Sequence, residues 1–166
     1  FVTCTFLFSC SSDKDKDVVR SYWDNGNLKS ELRYKDGKLN GDCCWYFSTG
    51  KPDMKAHYDM NVMEGEVVRW YENGNIQSRY YLKKDQYDSI FESYNVFGTL
   101  VKIEHYKEGV LHGEYKQWYD SGKLFTEGLY NDGMLHGKWM MYYENGAVGS
   151  VATYKDGAGL QKGYSP

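Results

Sequence analysis

Residues 117–140 read QWYDSGKLFTEGLYNDGMLHGKWM, and nearly the whole chain is this stretch repeated. At steps of 24 residues the glycine at 122 recurs as Gly26, Gly50, Gly74, Gly98 and Gly146. A second series runs Gly41, Gly65, Gly113 and Gly137, interrupted only by Ser89. Aromatic residues keep the same period: Tyr22, Tyr46, Trp70, Tyr94, Trp118 and Tyr142, and separately Tyr34, Tyr58, Tyr106, Tyr130 and Tyr154, with Leu82 as the exception. Six copies without an insertion or deletion define a repeat architecture, since a fixed period in this range is its signature.

Turn signals fall twice in each unit, as in Asn73-Gly74, Glu108-Gly109, Ser121-Gly122 and Asp132-Gly133. Asn-Gly and Asp-Gly between alternating segments mark hairpins, because both central positions of a type I′ turn need φ > 0. The segments between turns alternate as half-buried strands do: Leu28, Ser30, Leu32 and Tyr34 share one face, and charged Lys29, Glu31 and Arg33 the other. The sequence therefore predicts an all-β fold. It is an elongated single-layer antiparallel meander of stacked β-hairpin repeats, six 24-residue units giving about a dozen strands. The second glycine series lies inside strands, where the expectation is a neighbouring aromatic ring laid over each glycine. A unit cannot bury its apolar face alone, so stability comes from stacking on its neighbours.

Composition narrows the function. Twenty basic and 23 acidic residues leave a net charge of −3, which provides no basic field for nucleic acid. Seventeen tyrosines and five tryptophans suit a sheet that buries flat amphipathic rings while their polar tips stay wet. No segment approaches the ~20 apolar residues of a transmembrane helix.

The N-terminal FVTCTFLFSC is apolar and gives way abruptly to SSDKDKD. It reads as part of a secretory signal over residues 1–10, with a solvated linker at 11–19 and the repeat domain at 20–166. Leu7-Phe8-Ser9-Cys10 resembles the lipobox of bacterial lipoproteins. That resemblance implies lipidation of Cys10, with several acyl chains as a stable membrane anchor, and hence a cell-envelope location, periplasmic or surface-exposed.

The regularity decays mid-chain. Unit 45–68 carries Pro52 and has Met60-Asn61 at its second turn. Residues 84–103 replace glycine by Asp85 and Ser89 and gain Tyr87, Ile90, Phe91 and Ile103. Drift in a tolerant copy and a surface specialised for a partner both fit.

Tyr106-Lys-Glu-Gly-Val-Leu-His112-Gly113-Glu-Tyr115 and Tyr130-Asn-Asp-Gly-Met-Leu-His136-Gly137-Lys-Trp139 resemble MORN-type repeats. With Trp-Tyr-Glu-Asn-Gly at 70–74 and Tyr-Tyr-Glu-Asn-Gly at 142–146, the unit is most similar to the bacterial variant grouped as YwqK-family antitoxins. The resemblance implies stacked hairpins without enzymatic activity. It also implies a protein partner, a toxin if the antitoxin role carries over. Phospholipid binding, attributed to some MORN proteins, is disfavoured by the mildly acidic charge.

No catalytic motif appears, neither P-loop, G-x-S-x-G nor H-E-x-x-H. His112 and His136 share a phase but lie two strand spacings apart, about 9–10 Å, too far for one zinc ion in straightforward stacking. No cofactor or metal is expected. Cys43 falls in the column of Val67, Phe91, Tyr115 and Trp139 and reads as a small buried hydrophobe. Cys44 points to the other face, and the acidic residues are assigned to the solvated face. The candidate partner-binding residues are Tyr46, Trp70, Tyr94, Trp118 and Tyr142. Their parity opposes Phe47 and Cys43, making them an aromatic ladder beside Asp42, Glu66, Glu114 and Lys138. A bulge or sheet curvature that turned the ladder into core is the alternative. The function expected is a non-enzymatic scaffold for a protein partner, immunity-like or antitoxin-like. The alternative is an envelope-associated lipoprotein that contacts glycan or itself.

Overall fold

The protein's structure, a computed structural model, describes residues 17–155 and 157–163. The N-terminal part comprises β1 (Val18–Tyr22), β2 (Leu28–Lys35), β3 (Lys38–Leu39), β4 (Gly41–Tyr46) and β5 (Pro52–Asp59). The middle holds β6 (Val62–Met63), β7 (Gly65–Trp70), β8 (Ile76–Lys83), β9 (Gln86–Tyr94) and β10 (Leu100–Lys107). Then follow β11 (Val110–Trp118), β12 (Leu124–Asn131), β13 (Met134–Tyr142), β14 (Val148–Lys155) and β15 (Ala158–Gly163).

All 15 strands form one open antiparallel sheet. Thirteen of them follow one another in chain order, while short β3 pairs with β2 and short β6 with β5. The predicted all-β meander is therefore observed. Its strand number exceeds a dozen because β3 and β6 are split from β4 and β7 by Asn40 and Glu64, and because the sheet ends on the additional strand β15.

The two turns of each unit differ, which corrects the single turn type expected. At 36–37, 60–61, 84–85, 108–109 and 132–133 both residues have φ between +48° and +80°, as type I′ requires. On the opposite edge only the glycine is left-handed: Gly26 (φ +86°) donates to Trp23 O at 2.8 Å, and Trp23 N donates to Asn27 O at 2.8 Å. That is a three-residue loop closed by an αL glycine.

The mid-chain departures keep this geometry. Asn61 (φ +74°) and Asp85 (φ +62°) occupy the glycine place of the I′ turns. Their side chains repay the strain, Asn61 Oδ1 accepting from Leu39 N at 2.7 Å and Asp85 Oδ1 from Met63 N at 2.8 Å.

The second glycine series has a different cause from the one expected. Gly113 (φ +109°) sits where the β10–β11 register shifts between Glu104 and Tyr106, and a Cβ there would meet His105 Cβ at 3.2 Å, not a ring. These are bulge glycines, required by backbone conformation. Ser89 takes the same role at φ +69°. Aromatic cover does occur, at a glycine outside both series: a Cβ on Gly128 would lie 2.2 Å from Trp139 Cδ2. The indole there donates from Nε1 to Leu129 O at 2.9 Å.

One face carries the core. Cys43, Ala56, Tyr58 and Val67 are buried, with Leu32, Leu39, Trp45, Met54, Tyr80 and Leu82 packed against them. Burial raises the Cys43 thiol pKa above its ordinary value, consistent with a packing role. Further along, the face is maintained by rings: Tyr80 stacks on Phe91 at 5.3 Å, and Tyr115, Tyr130 and Trp139 meet at 5.2–5.7 Å.

Two substitutions test this account. Ser89→Gly should stabilise the sheet by about 1 kcal/mol, because it removes a side chain from αL. Gly128→Ala should cost about 1–3 kcal/mol, because Trp139 must lift off the backbone. Urea unfolding followed by circular dichroism measures both.

Candidate functional site

The ladder residues sit at strand ends, each just beyond a register shift. The partner strand carries one extra residue there: Trp45 faces Met54 but Tyr46 faces Pro52, and Arg69 faces Ser78 but Trp70 faces Ile76. The same step precedes Trp118 and Tyr142. A bulge is thus present beside these ladder positions, yet the ladder side chains engage the charged face. Tyr94 donates its hydroxyl to Glu92 at 3.0 Å, and Tyr142 donates to Glu127 at 2.7 Å.

All five rings are half-buried. Tyr46, Tyr94 and Tyr142 are tied down through their carbonyls as well, which accept from Trp23 Nε1, Tyr71 OH and Tyr119 OH at 2.8–3.0 Å. Each of these donors lies 23 residues before its acceptor, so the bonds lock successive repeats together. Trp70 and Trp118 are different. Among the described residues neither indole N–H has a hydrogen-bond partner and neither ring meets another aromatic ring.

Around the ladder the charges alternate in sign. Lys55 pairs with Asp42 at 3.0 Å, and His57 Nδ1 is 2.8 Å from the same carboxylate. Arg79 Nε lies 3.3 Å from Glu66 but out of line for a hydrogen bond. Lys116 lies 3.3 Å from Glu114. Exposed pairs of this kind contribute little stability but leave a mixed, polar rim.

The acidic residues do not all lie on this face, contrary to expectation. Glu104 faces Phe91 and Tyr115 directly across the ladder, on the aromatic side, with its side chain only 12% exposed. Lys102 offsets its charge at 3.2 Å, and Tyr106 donates its hydroxyl at 3.3 Å. Burial, followed by the Glu104 charge, pushes the Tyr106 phenol up to about 12. Tyr115 and Tyr130 are raised by the same two causes.

His112 contacts Asp132 at 3.3 Å and His105 contacts Glu114 O at 2.9 Å. Among the described residues no three His, Cys, Asp or Glu side chains converge as metal ligands. Cys43 and Cys44 form no disulfide among the described residues. Cys10 lies outside the described residues, as do the signal and most of the linker assigned to 1–19.

The aromatic face has a feature that the sequence reading missed. A groove of about 540 Å³ opens over β7, β8 and β9, lined among others by Arg69, Ser78, Tyr80, Tyr87, Phe91 and Ser93. A signal for it was available: serines at 78 and 93 stand in the columns that Met54 and Trp45 fill one and two units earlier.

Comparison with protein families matches the sequence to the family described as MORN repeat variant, over residues 18–36, 39–60, 63–84, 111–132 and 135–156. The chain belongs to that family. Comparison with curated proteins finds no match. The MORN matches omit 85–110, the stretch whose turn and bulge glycines are replaced by Asp85 and Ser89. The structure nonetheless forms β9 and β10 there in the regular order.

The raised phenols give the MORN sheet a definite alkaline behaviour. The folded chain holds the Tyr106 proton more tightly than the unfolded chain. Its contribution is therefore complete below pH 10 and is lost as pH rises towards 12. Urea midpoints should fall across that window. Glu104→Gln should lower the pH at which Tyr106 ionises without restoring the ordinary value, because burial is the larger cause; tyrosinate absorbance follows it.

Proposed function

We propose that this MORN repeat chain is a non-catalytic scaffold whose ladder face docks a protein partner. The observation that carries the reading is the pair Trp70 and Trp118, half-buried indoles with no hydrogen-bond or ring partner among the described residues. They lie four strand spacings apart, about 19 Å. The neighbouring ladder tyrosines are fixed by their own bonds, and the charged pairs supply a polar rim. Tryptophans in such settings are the anchors that dominate protein interfaces.

The immunity-like or antitoxin-like role, with a toxin as the partner, extends this proposal and rests on the resemblance of the repeat unit. Membrane attachment through acylated Cys10, and with it an envelope location, rests on Leu7-Phe8-Ser9-Cys10 and the polar run that follows. Mass spectrometry of the native N-terminus tests the anchor: a diacylated or triacylated Cys10 supports it, and an unmodified Cys10 within a longer mature chain rejects it.

Docking is tested by identifying the partner by affinity capture and then titrating purified components. Trp70→Ala and Trp118→Ala should each weaken the complex by roughly 2 kcal/mol or more, while the urea midpoint changes little. If either change unfolds the sheet, and the remaining folded protein binds as before, the tryptophans hold the fold and the docking face is elsewhere.

A further inference from the structure

We propose that the groove over β7, β8 and β9 is a binding site for an acidic saccharide, with Arg69 taking the carboxylate and Tyr87 and Phe91 the sugar ring. The residues named for binding lie on the aromatic face, and only Tyr94 of the ladder reaches the groove's margin, at the loop edge; Trp70 and Trp118 do not line it.

The groove exists because two small side chains meet where the preceding hairpin packs large ones. One and two units earlier, Met54 and Trp45 pack on the core; here the same columns hold Ser78 and Ser93, which face each other across β8 and β9. Small residues at both places leave the volume open. The equivalent serines of the first hairpin, Ser21 and Ser30, satisfy one another at 2.7 Å. Ser78 and Ser93 do not: among the described residues neither hydroxyl has a hydrogen-bond partner, and both line the groove.

Arg69 stands at one end of this row, directly opposite Ser78, while Lys102 at the other end, opposite Ser93, is already paired with Glu104 at 3.2 Å. Its closest carboxylate, Asp53, is 3.5 Å away, a distance that uses little of the guanidinium's five-donor capacity. The adjacent row is aromatic. Tyr80 stacks on Phe91, and Tyr87 meets both edge-on at 5.3 and 5.5 Å while remaining 37% exposed. Gln77 and Asn95 add amide groups at the margin.

A pyranose ring matches this combination. Its C–H face is apolar and packs on aromatic rings, while its hydroxyls project from the edge towards hydroxyl and amide partners. A cation at the end of the row selects a sugar that carries a carboxylate, which guanidinium binds as a fork. The open groove admits a residue within a polymer as readily as a free sugar.

Isothermal titration of the full chain, with a tetrasaccharide of alternating glucuronate and N-acetylglucosamine as the probe, tests the site. The neutral N-acetylglucosamine tetramer serves as its control. The acidic probe should bind more tightly than the neutral one. Arg69→Gln should weaken the acidic probe by about tenfold or more and leave the neutral one unchanged. Tyr87→Ala should weaken both, and Trp118→Ala, on the ladder face, neither. Arg69 is half exposed, so Arg69→Gln should fold normally by circular dichroism. The proposal is overturned by absence of binding at millimolar probe, by Arg69→Gln binding the acidic probe as well as the parent does, or by acetate alone competing at equal concentration.

Discussion

A single sheet has no second layer to cover its apolar side chains. Each ring must be covered by side chains from the strands beside it, and this requirement explains the composition and the period together. Tyrosine, tryptophan and phenylalanine are broad enough to reach a neighbouring strand, so Tyr115, Tyr130 and Trp139 shield one another. Small residues must then stand where a ring lies down, as Gly128 does beneath Trp139. Any change in length would shift one column against the next and expose both faces of the error. The constant 24-residue interval follows from that.

The same requirement separates the two faces. Neighbour-covered rings occupy one side, and the other carries charged pairs, the ladder and the buried Val68. The bonds from Trp23, Tyr71 and Tyr119 to carbonyls 23 residues later add a second kind of coupling along the loop edge. They skip Phe47, which has no polar atom to donate, and Asn95 instead reaches Asp120. Coupling between adjacent units is therefore uneven, although the backbone lattice is uniform.

Much of this was legible because it is written in periods. Alternation identified the face of Cys43 and Val67, and the turn signals placed most hairpins, those at 60–61 and 84–85 excepted. What stayed hidden depends on backbone detail within the period. Gly41 and Gly113 look like strand residues awaiting a ring, whereas their positive φ makes them bulges. Asn25-Gly26 and Asp36-Gly37 look alike in sequence, yet only the second is left-handed at both positions. Glu104 was assigned to solvent because of its residue type, although its position lies on the aromatic face. The groove was missed for a related reason: serines in a core column register as weakened repeats, and the space they vacate becomes visible only when the flanking rings are in place.

The parity of the described sheet decides which of its edges could pair between copies without breaking the antiparallel pattern. Thirteen strands run in series, each antiparallel to the last, so β1 and β15 point the same way. Joining the β15 edge of one copy to the β1 edge of the next would insert a parallel pair into an otherwise antiparallel ladder. With the aromatic faces kept on one side, only like edges can meet without changing the hydrogen-bond pattern, and like-to-like contact implies a two-fold axis. Growth by edge pairing would thus be non-polar, with no front and no back.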